Sequence, residues 1–547
     1  VSASATTSVL ILRHANILTM DDALTRAEAI AIDRENGRIL AVGSSEAMRE
    51  RYPAARAADM QGRTIVPGFN DCHMHILPYG LDLARADLSP AAGVTSVPEL
   101  IAALQRWCAQ NPQSAWALGN RYDQNVFPGA AHPTRWELDA AFPDRPVYLI
   151  QTSKHGAVAN SVALRLAGVT RETPDPPGGE IVRNADGEPT GVLLESAMGL
   201  VAKAVPAPTA SEKVAAIHRA HEALLRAGIA SASDLNTQPS EITLYRQAVE
   251  QGAPVRMTLC PHAPAFGAPE SLPEREAFAR QEFEGISTTA GGLRLGPIKL
   301  FSDGALTVRT AALRQPYVDG SGMGMLLHEP EELKAYITTA HLRGWQVAVH
   351  AIGDRAVELV LDCYEAAEAL APGTAAARRH RVEHAMLLDE GLIARFARQK
   401  VIPVAQPEFL ARLGDAYVLG LGRERASRIN PTASLQRAGV AVPFSSDCPI
   451  VPGAPLDGIR AAARRVTRAG LLLGPEERIP PAQGLRNYTY YAACSTFDET
   501  NTGTLEPGKR ADLTILSDDP TTEGGLDAAQ VISVMIGGRI VYGADVW

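Results

Sequence analysis

The chain has 547 residues, 46% hydrophobic and 21% charged, with a formal net charge of −9 at neutral pH. That length exceeds one average domain, and the balance of residue types is that of a globular protein. An acidic chain with no dense Lys/Arg run argues against a nucleic-acid partner, and no apolar run approaches the roughly 20 residues of a membrane span.

Val1 to Ser8 carry no basic start and no apolar core, so they do not read as an intact signal peptide. With no initial Met, a removed leader stays open. Residues 1–65 read as short strands with polar turns, a first part of a β-sandwich. Segments 8–12 and 27–32 are apolar, and Glu35-Asn36-Gly37-Arg38 is a hairpin signal leading into 39–43.

Val66-Pro67-Gly68-Phe69-Asn70-Asp71-Cys72-His73-Met74-His75 is an apolar run ending in His-x-His. Residues two apart on a strand share a face, so His73 and His75 project together and make half of a divalent metal site. In a chain with 13 histidines, chance explains this spacing equally well until other ligand types appear. The same alternation turns Cys72 away, as a packed small residue.

The stretch from 80 to 225 exceeds a simple crossover. It reads as a subdomain inserted over 82–210, holding Trp116, Tyr122, Phe127, Trp136 and the Pro/Gly-rich loop 174–179. Insertions of this kind shape or close a pocket. Strand candidates then follow at 227–235, 254–260, 293–301, 345–350, 379–384, 401–405 and 439–446, with helical stretches such as 211–225 and 331–343 between them. With 63–69 they make the eight strands of an α/β fold, a (β/α)8 or TIM barrel across 66–485. An open doubly wound sheet is the weaker alternative. Candidate ligands end the first, fourth, fifth, sixth and eighth strands, and a closed barrel gathers those ends. Residues 486–547 are β-rich again, at 511–516 and 531–542, the latter folded around Gly537-Gly538. Both termini are therefore expected to build one small sandwich.

Four further strand ends carry chemistry. Segment 345–350 ends in His350, followed by Ala351-Ile352-Gly353-Asp354, where Asp354 can cap the next helix. In Arg379-His380-Arg381-Val382-Glu383-His384, alternation puts His380, Val382 and His384 on one face, with His380 deeper and structural. Ser445-Ser446-Asp447 ends the last strand in a carboxylate. That residue is most often a cap or turn former, but opposite several histidines it can bind metal and exchange a proton with water. Lys299 is one of only seven lysines against 45 arginines, yet it stands inside Pro297-Ile298-Lys299-Leu300-Phe301-Ser302-Asp303-Gly304. Burial pushes a lysine toward its neutral form, which can add CO2 to give a metal-bridging carbamate. On physics alone a buried ion pair with Asp303 or another carboxylate is the favoured reading of Lys299.

With these residues in hand, the chain resembles the metal-dependent amidohydrolase superfamily, and most closely the amidohydrolase family 3 branch that contains N-substituted formamide deformylases. The resemblance runs through Pro67-Gly68-Phe69 and the His-x-His, Gly191-Val192-Leu193-Leu194-Glu195, and Lys299 to Gly304. It continues in His350-Ala351-Ile352-Gly353-Asp354, Val382-Glu383-His384, Ser446-Asp447-Cys448-Pro449 and Gly503-Thr504-Leu505-Glu506-Pro507-Gly508-Lys509-Arg510-Ala511-Asp512-Leu513. It implies a distorted barrel with one or two divalent metals, usually zinc, held by His73, His75, His350, His384 and Asp447. Lys299 falls where relatives carry a carboxylated lysine, which reverses the ion-pair reading. His155, in Lys154-His155-Gly156-Ala157, falls on a histidine motif of the insertion that reaches the substrate carbonyl. Lys154 where Gly is usual, and Thr307-Val308 where Gly-Ser is usual, keep the substrate from being transferred.

The expected activity is hydrolysis of an amide-type C–N bond in a small molecule such as a formamide, N-acyl compound or carbamate. Metal-activated water would attack, Asp447 would move the proton, and His155 or His384 would stabilise the oxyanion. The same site acting on an ester or lactone, or deaminating a heterocycle, is the alternative. A non-catalytic scaffold is the remaining one, and such proteins usually lose ligands that are all present here. Six scattered cysteines without a C-x-x-C pair suggest a reducing, cytoplasmic setting. No nucleic-acid or membrane partner is expected, and homo-oligomerisation stays open.

Overall fold

The computed structural model describes residues 8–152, 156–284 and 292–544. The chain forms two compact units, one of Val1–Leu77 with Ala220–Trp547 and the other of Pro78–Arg219.

In the larger unit both termini build a two-sheet sandwich. One sheet pairs Val9–Arg13 with Ala29–Asp33 and Arg56–Asp59, and Arg38–Gly43 extends it. The other runs from Arg26–Ala27 through Asn16–Leu18 and Thr64–Pro67 to the C-terminal strands Leu513–Leu516, Val531–Ile536 and Arg539–Tyr542. Leu12, Ile17, Ile30, Ile32, Ile65, Leu513, Ile515 and Met535 fill the space between the sheets. The two hairpin tips meet: Gly37 has φ 65°, and a Cβ there would lie 2.6 Å from the Gly537 carbonyl oxygen. Only glycine fits both demands.

The barrel follows. Phe69–Met74, Ile229–Thr237, Arg256–Pro261 and Leu293–Leu295 pair in parallel. Ile298–Phe301, Val347–Ala351, Arg381–His384 and Ile402–Val404 do the same. A parallel bridge from His262 to Lys299 joins the two sets, and another from Ala405 to Phe444 adds the eighth segment. The ring closes where the Asp447 N–H donates to the His73 carbonyl and the His75 N–H to the Cys448 carbonyl, each at 2.8 Å. Helices Ile242–Glu250, Arg275–Phe283, Pro330–Leu342, Asp354–Leu370, Glu390–Gln399 and Glu408–Ser427 follow the second to seventh strands in turn. Asp354 is the first helical residue rather than the cap, and its carboxylate accepts the N–H groups of Arg314 and Arg355.

Three strand boundaries differ from expectation. The run 63–69 is two elements: Thr64–Pro67 pairs with Leu513–Leu516 in the sandwich, and the first barrel strand starts at Phe69. Gly68 makes the transfer, since a Cβ there would lie 2.5 Å from Ala230 Cβ. The fourth strand breaks at Gly296-Pro297, and the eighth is reduced to a bridge beside Pro443; a proline has no N–H for the ladder.

The smaller unit is an α/β layer of its own. Its six strands run in the order Gly179–Arg183, Pro189–Glu195, Gly156–Ala159, Val147–Gln151, Ala117–Tyr122, Ala86–Asp87. Leu88, Leu100, Leu104, Tyr122, Leu138 and Leu149 form one of its cores. Among the described residues no helix is long and apolar enough to cross a membrane.

Candidate metal centre

Asp71, His73 and His75 alternate along the first barrel strand and its exit. Asp71 accepts the Ser446 hydroxyl at 2.5 Å and the N–H groups of Ser446 (3.1 Å) and His73 (3.2 Å), clamping the first strand to the eighth segment. Burial lifts its pKa to about 6. Asp447 enters from that segment with φ 58°, a left-handed backbone that is rare outside glycine and concentrates at functional sites. Its Oδ1 lies 3.0 Å from His75 Nε2 and 3.2 Å from His73 Nε2, yet it is buried and, among the described residues, has no hydrogen-bond partner. Burial alone would raise this carboxyl, but the two imidazoles hold it well below the usual carboxylate range.

The sixth strand departs from simple alternation. His380 stacks on Tyr364 with ring centres 4.8 Å apart and meets His341 at 2.8 Å, on the side of the helices. Glu383, on the other side, reaches His73. His384 should follow His380 outward. Instead its φ of 75°, followed by 42° at Ala385, turns it to the barrel mouth, with its ring 4.9 Å from His73 and 4.4 Å from His350. Ligand atoms of His73, His384 and Asp447 all lie within 4.8 Å of one another. Burial, then the neighbouring His350, keeps His384 well below the usual imidazole range.

Hydrogen bonds select which nitrogen each imidazole offers. His73 Nδ1 faces Glu383 Oε2 at 2.6 Å, and His384 Nδ1 faces Gln406 Oε1 at 2.8 Å, while Gln406 Nε2 donates to Ser445. Both rings therefore present Nε2. His350 donates from Nε2 to the Gly304 carbonyl at 3.0 Å and presents Nδ1. Burial, then the Lys299 charge, pushes His350 down to about 3.

Lys299 is fully buried, its Nζ has no hydrogen-bond partner among the described residues, and it lies 4.6 Å from the centre of the Phe301 ring. The ion pair with Asp303 does not form. Asp303 spends its oxygens on the N–H groups of Ala312 (2.9 Å), Ile352 (3.0 Å) and Gly353 (2.9 Å), tying the loop after Lys299 to the loop after His350. Burial brings the Lys299 amine down to about 8. Cys72 packs away from the site against Ile402, Val404 and Ala492. Lys154 and His155 lie outside the described residues.

Sequence reasoning missed Asp71, Gln406, Glu383 and Arg381. Asp71 was findable, since it shares parity with His73 and His75. Gln406 lies two residues past a strand and carries no motif signal. The remaining question is whether these residues suit a metal. Two buried orphans, Asp447 Oδ1 and Lys299 Nζ, stand beside imidazoles whose other nitrogens are committed. That donor set fits a divalent cation.

A parallel barrel that gathers imidazoles and a carboxylate at the C-terminal ends of its strands defines the class of barrel hydrolases that work with a metal. Residues 56–542 match the amidohydrolase family, and the chain belongs to it, as a hydrolase of carbon–nitrogen bonds. It is 34% identical to YtcJ of Bacillus subtilis (strain 168), over 96% of this chain and 98% of that one. It is 30% identical to the N-substituted formamide deformylase of Arthrobacter pascens, over 97% and 98%. The crystal structure of an uncharacterized metal-dependent hydrolase from Pyrococcus horikoshii OT3 is 27% identical, with a TM-score of 0.76 over 96% of this chain and 100% of that one.

Proposed function

We propose that the chain hydrolyses the C–N bond of a small formamide, N-acyl compound or carbamate at a centre held by His73, His75, His350, His384, Asp447 and a carboxylated Lys299. The observation that carries this reading is the convergence of His73, His384 and Asp447 ligand atoms within 4.8 Å, next to two buried polar atoms without partners. A divalent ion bound there, zinc on this reading, would polarise the carbonyl and acidify water.

The chain's own residues supply the rest. Asp447 Oδ1, free of hydrogen bonds, accepts a proton from the attacking water and passes it to the leaving nitrogen. Water oxygen joins the carbonyl carbon, the C–N bond breaks, and an amine leaves together with a carboxylic acid or, from a carbamate, a carbonic half-ester that loses CO2. His73 and His384 keep fixed tautomers throughout. Lys299, desolvated and unpaired, is suited to add CO2 at Nζ and so offer carbamate oxygens in place of an ammonium. The likeness to an N-substituted formamide deformylase favours the formamide class. Six cysteines with no disulfide among them suit a reducing cytoplasm.

The test is a panel of N-alkyl and N-aryl formamides, anilides, carbamates and matched esters, assayed with added zinc. Turnover of formamides that His73→Ala abolishes without unfolding supports the reading. Turnover confined to esters, or none with any substrate at full metal loading, overturns it.

A further inference from the structure

Arg381 and Glu383 lie fully buried on the inner face of the sixth strand. Arg381 Nε donates to Glu383 Oε1 at 2.7 Å and Nη2 to Oε2 at 2.9 Å, a two-pronged pair. The same Nη2 donates to the carbonyl of Cys72 at 2.9 Å, the peptide that carries the His73 nitrogen. Glu383 Oε2 then takes His73 Nδ1 at 2.6 Å. One guanidinium thus holds both the backbone in front of His73 and the carboxylate that orients its ring.

The chemistry of the acceptor decides the tautomer. A carboxylate only accepts, so an imidazole N–H sits at Nδ1, and Nε2 is the nitrogen turned toward Asp447 Oδ1, 3.2 Å away. His75 lacks such a hold: its Nε2 meets Asp447 at 3.0 Å, and among the described residues no hydrogen bond fixes its Nδ1. The two histidines of one His-x-His motif are therefore unequal, one held rigidly from behind and one not.

We propose that Glu383 and Arg381 are positioning residues for metal binding, acting through His73: Arg381 sets Glu383, and Glu383 fixes the ring angle and tautomer with which His73 meets a divalent cation. This rests on the reading that His73 is a metal ligand. It adds a buried pair on the sixth strand, serving a ligand on the first, that sets the affinity of the centre without touching the ion.

The test is Co2+ or Zn2+ affinity of the full-length, metal-stripped protein, measured by competition with a chromophoric chelator. Glu383→Ala and Glu383→Gln are compared with wild type, and circular dichroism checks the fold. Glu383→Ala is expected to weaken binding about 10–100-fold, and Glu383→Gln by less, because an amide oxygen still accepts from Nδ1. Glu383→Ala leaves Arg381 buried without its partner, so if that variant does not fold, Glu383→Gln decides alone. An affinity for Glu383→Gln, and for Glu383→Ala where it folds, within about twofold of wild type overturns the proposal. Failure of the wild-type protein itself to bind either ion overturns the metal-site reading instead. A purely structural pair would lower thermal stability and leave metal affinity unchanged, which also counts against the proposal.

Discussion

The backbone N–H of Asp447 donates to the carbonyl of His73 at 2.8 Å. The bond that closes the ring of strands is therefore a bond between two residues of the candidate centre. Asp71 reinforces the same seam through Ser446.

Asp447→Asn keeps that backbone bond and removes the proton acceptor together with the charge of the carboxylate ligand. Turnover should fall by about 10²–10⁴-fold while the circular dichroism spectrum stays that of wild type. A steady-state assay reads the outcome, and a loss no greater than about threefold would remove Asp447 from the proton path.

Lys299→Met exchanges a buried, unpartnered amine for an apolar chain of similar length. The metal-free protein should gain on the order of 1–3 kcal/mol in urea unfolding, since an unsatisfied polar group is costly to bury. The same variant should bind less metal and lose activity. Lower stability of the metal-free variant would mean that Lys299 has a partner in the native protein.

Arg256 and Asp512 form a buried ion pair between the third barrel strand and the sandwich, at 2.7 and 3.1 Å. Asp512 also accepts the Gly537 N–H at 2.7 Å, and its carbonyl accepts Gly68 N–H at 2.9 Å. Asp512→Ala should cost roughly 3–5 kcal/mol by taking its carboxylate from a buried guanidinium. Removing both charges, as Arg256→Met with Asp512→Ala, should cost less than Asp512→Ala by itself. A double variant as unstable as the sum of the singles would refute this coupling.

Burial holds His380 down to about 3, and it lowers His341 beside it. His380 Nδ1 accepts the Val347 N–H at 3.1 Å and its Nε2 meets His341 Nδ1 at 2.8 Å, while His341 Nε2 meets Thr374 at 2.8 Å. Arg378 opposes protonation here and Glu368 favours it at His341. The unfolded chain protonates near pH 6.5 and the native pair does not, so stability is intact above 6.5 and falls as pH drops toward 3. The slope for one histidine is about 1.4 kcal/mol per pH unit. Urea titrations between pH 4 and 7 should show it, flattened in His380→Leu; an unchanged slope in that variant would contradict the assignment.

Much of this was legible in sequence, for physical reasons that differ by residue. His73 and His75 both reach Asp447, as a strand that repeats every two residues leads one to expect, and the eight-strand count follows from apolar runs between helical stretches. His384 ends the sixth strand as expected but not on the expected face, because alternation assumes a regular backbone and φ 75° breaks it. The Lys299–Asp303 pair fails because sequence proximity does not reveal the three backbone N–H groups that claim Asp303. Glu383 and Arg381 were visible as charges in an apolar strand. Their use depends on Cys72 and His73, roughly 310 positions away in the chain, a separation no local pattern spans.

The central claim is that turnover depends on a metal held at the barrel mouth. Protein stripped with a chelator and assayed with N-substituted formamides should keep no more than about a hundredth of its activity, and one or two equivalents of zinc should restore it. Full turnover by the metal-free protein would contradict the account.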